Sequence, residues 1–189
     1  MPDRELCEKR LTGANVFRGV LLDVWRDEVA LPDGTSSIRE YIRHPGAALI
    51  VPIMDDGRLI FVRQFRYALG RVMVELPAGK LDPGEDPAMA AARELAEETG
   101  YHPGQLTRLG LIHPCIGYSD EQIEIYLATE LEPAEVAIVH DEFLEPFELG
   151  LEEALEWVRE GKITDVKTII ALYWTERHLA GDWGVESYN

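Results

Sequence analysis

One helix with clearly marked ends, residues 87–99, constrains the fold of this chain more than any other stretch. Asp86 suits the N-cap, Pro87 suits the first helical position, and Gly100 suits the left-handed residue that ends a helix. The interior is rich in alanine, which favours helix and allows a close approach to a sheet. The pattern therefore predicts a short helix packed closely on strands.

Three glutamates, Glu94, Glu97 and Glu98, follow the i, i+3 and i+4 spacing of this helix. At 3.6 residues per turn they lie within an arc of about 100°, so they form one stripe. Neighbouring carboxylates repel each other by about a few tenths of a kcal/mol per pair unless positive charge lies between them. Hard divalent cations prefer oxygen ligands, so the stripe is either a metal site or a solvated acidic face.

The run from Gly79 to Tyr101 resembles the Nudix hydrolase box, G-x5-E-x7-R-E-U-x-E-E-x-G-U, in which U is a bulky apolar residue. Every fixed glycine and charged position is present, and Tyr101 is a looser version of its apolar position. Arg93, at the edge of the glutamate stripe, can pair with Glu85 and fix the preceding loop against the helix. The resemblance implies Mg²⁺-dependent cleavage of a nucleoside diphosphate linked to another group.

The rest of the chain predicts strands before and after this helix. They are expected within 15–30 and at 38–43, 47–54, 59–66, 72–76, 106–113, 122–128 and 147–149. Two helices should follow, at 151–160 and after a cap at Asp165, the second with Leu172, Tyr173 and Leu179 on its apolar side. We therefore predict an α+β fold, a Nudix-type α/β/α sandwich with a mixed, largely antiparallel sheet.

Composition limits the class of partner. The chain has 18 Lys and Arg against 35 Asp and Glu, a net charge of −17, which disfavours binding to nucleic acid. No apolar run approaches the length of a membrane span, and the first residues lack an apolar signal region. Cys7 and Cys115 have no metal-binding spacing, and no disulfide framework is expected. These features predict a cytoplasmic protein with neither nucleic acid nor membrane as partner.

Beyond the box, the chain resembles the ADP-ribose (ADP-sugar) pyrophosphatase branch of the family over nearly its whole length. The similar segments are Arg39-Glu40 before the Ala47-Ala48 strand, Val62 to Arg66, Glu75 to Gly79, and Gly161-Lys-Ile before the last helix. The likeness implies that the diphosphate bond of ADP-ribose or a related ADP-sugar is hydrolysed to AMP and a sugar phosphate. It also implies a homodimer that exchanges an N-terminal antiparallel strand unit, residues 1–44, beside a hydrolase domain, residues 45–189.

The resemblance assigns roles residue by residue. The metal, Mg²⁺ with Mn²⁺ as the alternative, would be held by Glu94, Glu97, Glu98 and the carbonyl of Ala78. Glu97, Glu98, Arg93, Glu85 and Glu142 form the predicted catalytic set, and Arg39, Glu40, Arg66 and Glu121 the predicted substrate contacts. Phe17 is either an adenine-stacking residue or part of the core.

Two loops depart from the pattern of the branch. Ile116 stands where the branch commonly has the proline of S-P-G, which weakens the choice of ADP-ribose but leaves Glu121 in place. In a later loop the branch assigns water activation to a glutamate, often within E-x-E, and here His140 takes the first position. Glu142 keeps the second and is the leading candidate for the base or a further metal ligand. His140, which titrates near neutral pH, and Asp141 are the alternatives.

Other functions stay open at the level of sequence. The alternative within the same class is that the substrate is another nucleotide sugar or a dinucleoside polyphosphate. The alternative from a different class is a non-catalytic nucleotide-binding sensor that kept the fold. Loss of the fixed residues of the box would indicate such a sensor, and here the box is intact. A structural Ca²⁺-binding protein is disfavoured because the chain lacks D-x-D-x-D-G spacing.

Overall fold

The computed structural model describes residues 6–134 and 143–182 of the chain. Contacts divide these described residues into two compact units, one formed by those up to residue 45 with 115–122 and the other by those of 46–114 and from residue 123 onwards. The strands are β1 Lys9–Arg18, β2 Asp23–Ala30, β3 Ser36–Arg43, β4 Ala47–Pro52, β5 Arg58–Arg66, β6 Arg71–Glu75, β7 Ala78–Lys80, β8 Tyr101–Ile112, β9 Ile123–Pro133 and β10 Leu144–Gly150. The helices are α1 Pro87–Thr99, α2 Leu151–Arg159 and α3 Val166–Leu179.

The first unit is an antiparallel sheet in the order β1-β2-β3. Its first strand has no buried residue, and apolar side chains on it and on the following turn are exposed. At the other end of the unit, Ser119 bridges to Ile42, and the backbone N–H of His44 donates to Asp120 Oδ1 at 2.8 Å. These bonds hold segment 115–122 against the end of β3.

The second unit contains a four-stranded sheet, β7-β4-β9-β8, and a three-stranded sheet, β10-β5-β6. Only β4 and β9 pair in parallel among the described strands. Every residue of β4 is buried. Because side chains alternate along a strand, Leu49 and Val51 face one core cluster while Ala48 and Ile50 face a second cluster that contains α1. The predicted α+β class with a mixed, largely antiparallel sheet is confirmed.

Helix α1 has the predicted ends. The Asp86 carboxylate accepts from the N–H of Ala88 at 2.9 Å, and Gly100 adopts φ 77° as it closes the last turn onto Ala96. The buried face is small: Ala90, Ala91, Leu95 and Ala96 pack towards the sheet. Because three of these four side chains are alanines, α1 lies close enough to β7 for its glutamates to reach that strand's backbone.

Helix α3 begins at Asp165, which accepts from the N–H of Thr168, as the sequence predicts. Its buried residues are Thr168, Ala171, Leu172 and Thr175. Tyr173 and Leu179, expected on the apolar side, are instead 43% and 58% exposed, so that part of the prediction was wrong. The reason is that two threonines occupy the buried stripe. No helix within 6–134 or 143–182 is long and apolar enough to cross a membrane.

Candidate active site

The short strand β7 brings the start of the box beside the central strand. Ala78 pairs with Leu49, Gly79 with Ala48 and Lys80 with Ala47. The loop that follows closes on itself, since the N–H of Asp82 donates to Glu85 Oε2 and the N–H of Glu85 donates to the carbonyl of Asp82, both at 2.9 Å. Glu85 is thereby aimed back towards α1.

Glu94 lies directly against the backbone of Gly79. A Cβ atom at Gly79 would stand 1.9 Å from the carboxyl carbon of Glu94, a separation that no side chain tolerates. Gly79 carries no left-handed strain that would explain its presence. A side chain at position 79 would therefore require the flexible end of Glu94 to move away from β7.

Arg93 connects the loop to the glutamate stripe. Its guanidinium donates to both oxygens of Glu85 at 2.9 and 2.8 Å, to Glu94 Oε1 at 2.7 Å, to Glu97 Oε2 at 3.3 Å and to the carbonyl of Lys80 at 3.1 Å. The paired bonds to Glu85 use the planar, two-pronged geometry that only arginine provides. Arg93 thus supplies the positive charge that the clustered carboxylates require.

The ion pair shifts the protonation of both partners. The Arg93 guanidinium, together with the N–H of Asp82, lowers the pKa of Glu85 from 4.5 to about 2. The same hydrogen bonds to Glu85 and those to Glu94 raise the pKa of Arg93 further above its ordinary value. Both groups are therefore charged throughout the range in which proteins work.

The donor set suits a hard divalent cation. Glu98 Oε2 accepts from the N–H of Ala78 at 3.3 Å, so Glu98 and Glu94 both reach β7 from neighbouring turns of α1. Within 6–134 and 143–182, no three His, Cys, Asp or Glu side chains already converge at metal-binding geometry. Arg93 binds two of the glutamates in that arrangement. The oxygens of Glu94, Glu97, Glu98 and Ala78 nevertheless form the all-oxygen set that Mg²⁺ or Mn²⁺ prefers.

Arg66, a predicted substrate contact, pairs with a buried glutamate that sequence reasoning did not single out. Its Nε and Nη2 donate to Glu75 Oε1 and Oε2 at 2.6 and 2.7 Å. Lys167 Nζ also donates to Glu75, at 2.5 Å. Burial acts to raise the pKa of Glu75, but the hydrogen bond from Arg66 and the charge of Lys167 outweigh it, and the pKa is lowered.

Three other predicted substrate contacts lie in the first unit. Arg39 donates to the carboxylate of Glu8, which raises the arginine's pKa, and also to Ser37. Glu40 faces Arg26 across the strand pair at 3.6 Å. Glu121 lies 3.9 Å from His44 Nε2. These residues therefore belong to a different compact unit from the glutamate stripe and Arg66.

The remaining predictions fall differently. Phe17 is 55% exposed, so it is not a core residue of this chain. Glu142, with its alternatives His140 and Asp141, lies outside the described residues. Glu75 and Lys167 were missed. The sequence contains one signal for Glu75. It lies near the end of a predicted strand, just before Leu76 and Pro77, and a charged residue that is buried in a strand needs a partner of opposite charge.

Comparison with known proteins agrees with this geometry. The NUDIX domain family matches residues 43–171. An ADP-ribose pyrophosphatase of Bacillus subtilis (strain 168) is 39% identical over 175 residues, 92% of this chain and 95% of the relative. A methanol dehydrogenase activator of Bacillus methanolicus is 40% identical over 171 residues, 89% of this chain and 92% of the relative.

A solved structure gives the same result. The crystal structure of an ADP compounds hydrolase matches with a TM-score of 0.84 and 26% identity, covering 92% of this chain and 95% of that one. The fold is thus a Nudix α/β/α sandwich, and the chain belongs to the NUDIX family. It is a Nudix hydrolase, a class of enzyme that uses divalent metal ions.

Proposed function

We propose that this Nudix hydrolase cleaves the diphosphate bond of ADP-ribose or a related ADP-sugar, giving AMP and a sugar phosphate. The observation that carries the proposal is the joined arrangement of Glu85, Arg93 and Glu94 around the backbone of Gly79. The likeness to an ADP-ribose pyrophosphatase over nearly the whole chain supports the choice of substrate.

The metal in this proposal is Mg²⁺, with Mn²⁺ as the alternative, held by Glu94, Glu97, Glu98 and the Ala78 carbonyl. When bound, the ion supplies positive charge against the diphosphate and favours ionisation of the attacking water. The ion pair between Arg93 and Glu85 holds the loop against the helix when the ion is bound. Arg66 binds the diphosphate or terminal ribose through charge-assisted hydrogen bonds.

Glu142 is the proposed general base, since a carboxylate within reach of the attacking water can remove its proton. The change Glu142→Gln removes the basic oxygen with little change in size. We expect it to lower kcat by at least about 100-fold, within the usual range for loss of a general base. Asp141→Asn and His140→Asn are the matched comparisons, and a larger loss in either would transfer the role to that residue.

The substrate is tested by assaying the purified protein with Mg²⁺ against ADP-ribose, other ADP-sugars, a GDP-sugar and a dinucleoside polyphosphate. The proposal expects the highest kcat/KM for ADP-ribose or another ADP-sugar, with AMP as a product. Preference for a non-adenine sugar or a dinucleoside polyphosphate would change the substrate. Binding without turnover of any compound would indicate a nucleotide sensor.

The proposal includes a homodimer that shares its sites between chains. Its support is the exposed apolar surface of β1 and the turn after it, formed by Leu11, Val16, Phe17, Val20, Leu21 and Leu22. Exposed apolar patches of this kind usually meet a partner. Light scattering of the protein in solution tests the dimer, and a monomeric mass at micromolar concentration would refute it.

Sharing of sites is tested by mixing two inactive variants. If Arg39 acts in the partner's site, refolding Arg39→Ala together with Glu97→Gln creates mixed dimers with one complete site. Random pairing then restores roughly a quarter of wild-type activity, since half of the dimers are mixed and each has one site. Arg66→Ala mixed with Glu97→Gln is the control, because both residues lie in the same unit, and the mixture should show no more than the average activity of the two separate variants.

The cytoplasmic location and the absence of nucleic-acid or membrane partners belong to the same proposal. The net charge of −17 supports both expectations about partners, because phosphate backbones and anionic lipid surfaces repel such a chain. Cell fractionation tests the location, and a retardation assay with duplex and single-stranded nucleic acid at low salt tests the binding.

A further inference from the structure

Glu75 is a buried carboxylate held by two cations. Its side chain is 4% exposed, while the Arg66 side chain beside it is 43% exposed. Both of its oxygens are engaged by Arg66, and Oε2 also accepts from Lys167. Lys167 in turn donates to Asp165 Oδ2 at 2.9 Å, the same oxygen that caps α3. One end of this chain of contacts is open to solvent and the other is anchored in a helix terminus.

The strand register shows what the ion pair does to Arg66. Backbone pairing places Arg66 opposite Arg71 beside the turn, but places Glu75 opposite Val62. Val62 is four residues from Arg66, about 13 Å along an extended strand. The arginine side chain must therefore be drawn back along β5, away from the turn, to meet Glu75.

The direction of this displacement matters for the site. Glu75 ends β6, and the chain then runs through Leu76 and Pro77 to Ala78 and Gly79, where the metal ligands begin. An arginine at the end of a hairpin strand otherwise samples many rotamers in solvent. The ion pair removes that freedom and holds the guanidinium on the side that leads to the box.

Lys167 has an electrostatic role in the same arrangement. A buried carboxylate paired with a single arginine would cancel the charge that attracts an anionic substrate. Lys167 also binds Glu75 but is shared with Asp165, so it offsets part of the charge of Glu75 and leaves the guanidinium part of its attraction for phosphate oxygens. This matters in a chain with a net charge of −17.

We propose that Glu75 is a positioning residue that aims Arg66 at the substrate, with Lys167, which is shared with Asp165, offsetting part of the charge of Glu75. The inference rests on the proposed function, in which Arg66 contacts the diphosphate or terminal ribose. Glu75 itself touches neither substrate nor metal in this proposal. Its effect on the reaction must therefore pass through Arg66.

A kinetic double-mutant cycle tests that dependence. Wild type, Glu75→Gln, Arg66→Ala and the double variant are assayed for KM and kcat with the nucleotide sugar that the substrate panel identifies. Glu148→Gln is the matched control, because it removes an ion pair with Arg58 on the same strand β5. Thermal unfolding of each variant checks that it is folded at the assay temperature.

We expect Arg66→Ala and Glu75→Gln each to raise KM by about tenfold, the loss of one charged hydrogen-bonding contact. In the Arg66→Ala background, Glu75→Gln should then change KM by less than about twofold, because coupled residues are not additive. A residue that only stabilises the fold would give the same factor in both backgrounds. Glu148→Gln should leave KM unchanged.

The outcomes separate the inference from the proposed function. If Arg66→Ala raises KM and Glu75→Gln does not, or if the two effects multiply, the positioning role is refuted while the substrate role of Arg66 stands. If Arg66→Ala leaves KM unchanged, the substrate role of Arg66 and the inference are both refuted while the hydrolytic activity stands. If the wild type hydrolyses nothing in the panel, the proposed function fails and the inference fails with it. If Glu75→Gln does not fold, Glu75→Asp, which keeps the charge on a shorter arm, takes its place in the cycle with the same criteria.

Discussion

The carboxylate of Glu94 lies directly against Gly79 at the start of the box, in the position that a side chain at residue 79 would take. The contact joins the strand that contains Ala78 to the helix that contains the glutamate stripe. A side chain at position 79 would therefore displace the carboxylate of Glu94 from its place beside β7.

The substitution Gly79→Ala tests this contact. The added methyl forces Glu94 or the strand to move, and a displacement of about 1 Å in a catalytic group can cost about 100-fold in rate. We expect a loss of that order in kcat/KM with little change in the free energy of unfolding, because the group that must move is the end of a flexible side chain.

Gly150→Ala is the control for that substitution. Gly150 has φ −69° and open space where the methyl would go, so alanine is tolerated there. Its kcat/KM should equal that of wild type. Unchanged kcat/KM in Gly79→Ala as well would show that Glu94 can leave Gly79 without loss of function.

Glu97→Gln and Glu98→Gln test the assigned metal ligands. Each keeps its shape but replaces an anionic ligand with a weaker neutral one. We expect kcat to fall by more than about 100-fold, the upper range for loss of an outer-shell group, while circular dichroism stays unchanged. A thermal-shift titration with Mn²⁺ should show weaker binding, and Glu153→Gln, on the exposed face of α2, should behave as wild type. Near-normal turnover at saturating Mg²⁺ in either variant would refute its assignment.

Glu85 predicts a pH dependence of stability. Its pKa is about 2 in the folded protein, below its ordinary 4.5, so the Arg93 pair stabilises the fold above about pH 4.5. That contribution is lost as pH falls towards 2, because Glu85 must be protonated in both states. The difference in Tm between wild type and Glu85→Gln should therefore be largest near pH 5 and shrink towards pH 2. A difference that is constant with pH would contradict the ion pair as its source.

Thr168 and Thr175 make opposite predictions although both are fully buried on α3. The Thr168 hydroxyl accepts from the N–H of Leu76 at 2.9 Å, so Thr168→Val leaves that buried donor without its partner. We expect a loss of about 1–3 kcal/mol in the free energy of unfolding, measured with urea.

The matched substitution is Thr175→Val. Thr175 Oγ1 is buried with no hydrogen-bond partner among the described residues, so a methyl there removes an uncompensated polar group. Thr175→Val should be neutral or stabilising. Equal losses in the two variants would mean that the hydroxyl of Thr168 does not hold the Leu76 backbone.

The sequence predicts the elements in which local chemistry and periodicity agree. Asp86, Pro87 and Gly100 fix the ends of α1 whatever surrounds it, so that helix is confirmed to the residue. Strand β8 was expected from residue 106 but begins at Tyr101. Pro103 argues against a central strand, yet β8 is the edge strand of its sheet, where a missing N–H costs little.

Contacts distant in sequence limit what could be predicted of the site. The pairing of Arg93 with Glu85 follows from helix geometry across one short loop. Glu75 and Lys167 are 92 residues apart in the sequence, and no local sequence pattern predicts that they pair. Leu172 was correctly placed on the buried side of α3, but the buried Thr168 was missed for the same reason, since its hydroxyl bonds the Leu76 backbone 92 residues away.

Arg93 has a consequence for the life of the protein in the cell. Because the guanidinium of Arg93 already offsets the charge of Glu94 and Glu97, we expect the chain to fold without a bound ion, unlike a zinc finger. A shortage of divalent cations should therefore abolish turnover without unfolding the protein or exposing it to chaperones and proteases. The folded, metal-free enzyme would regain activity as soon as divalent cations return, without new protein synthesis.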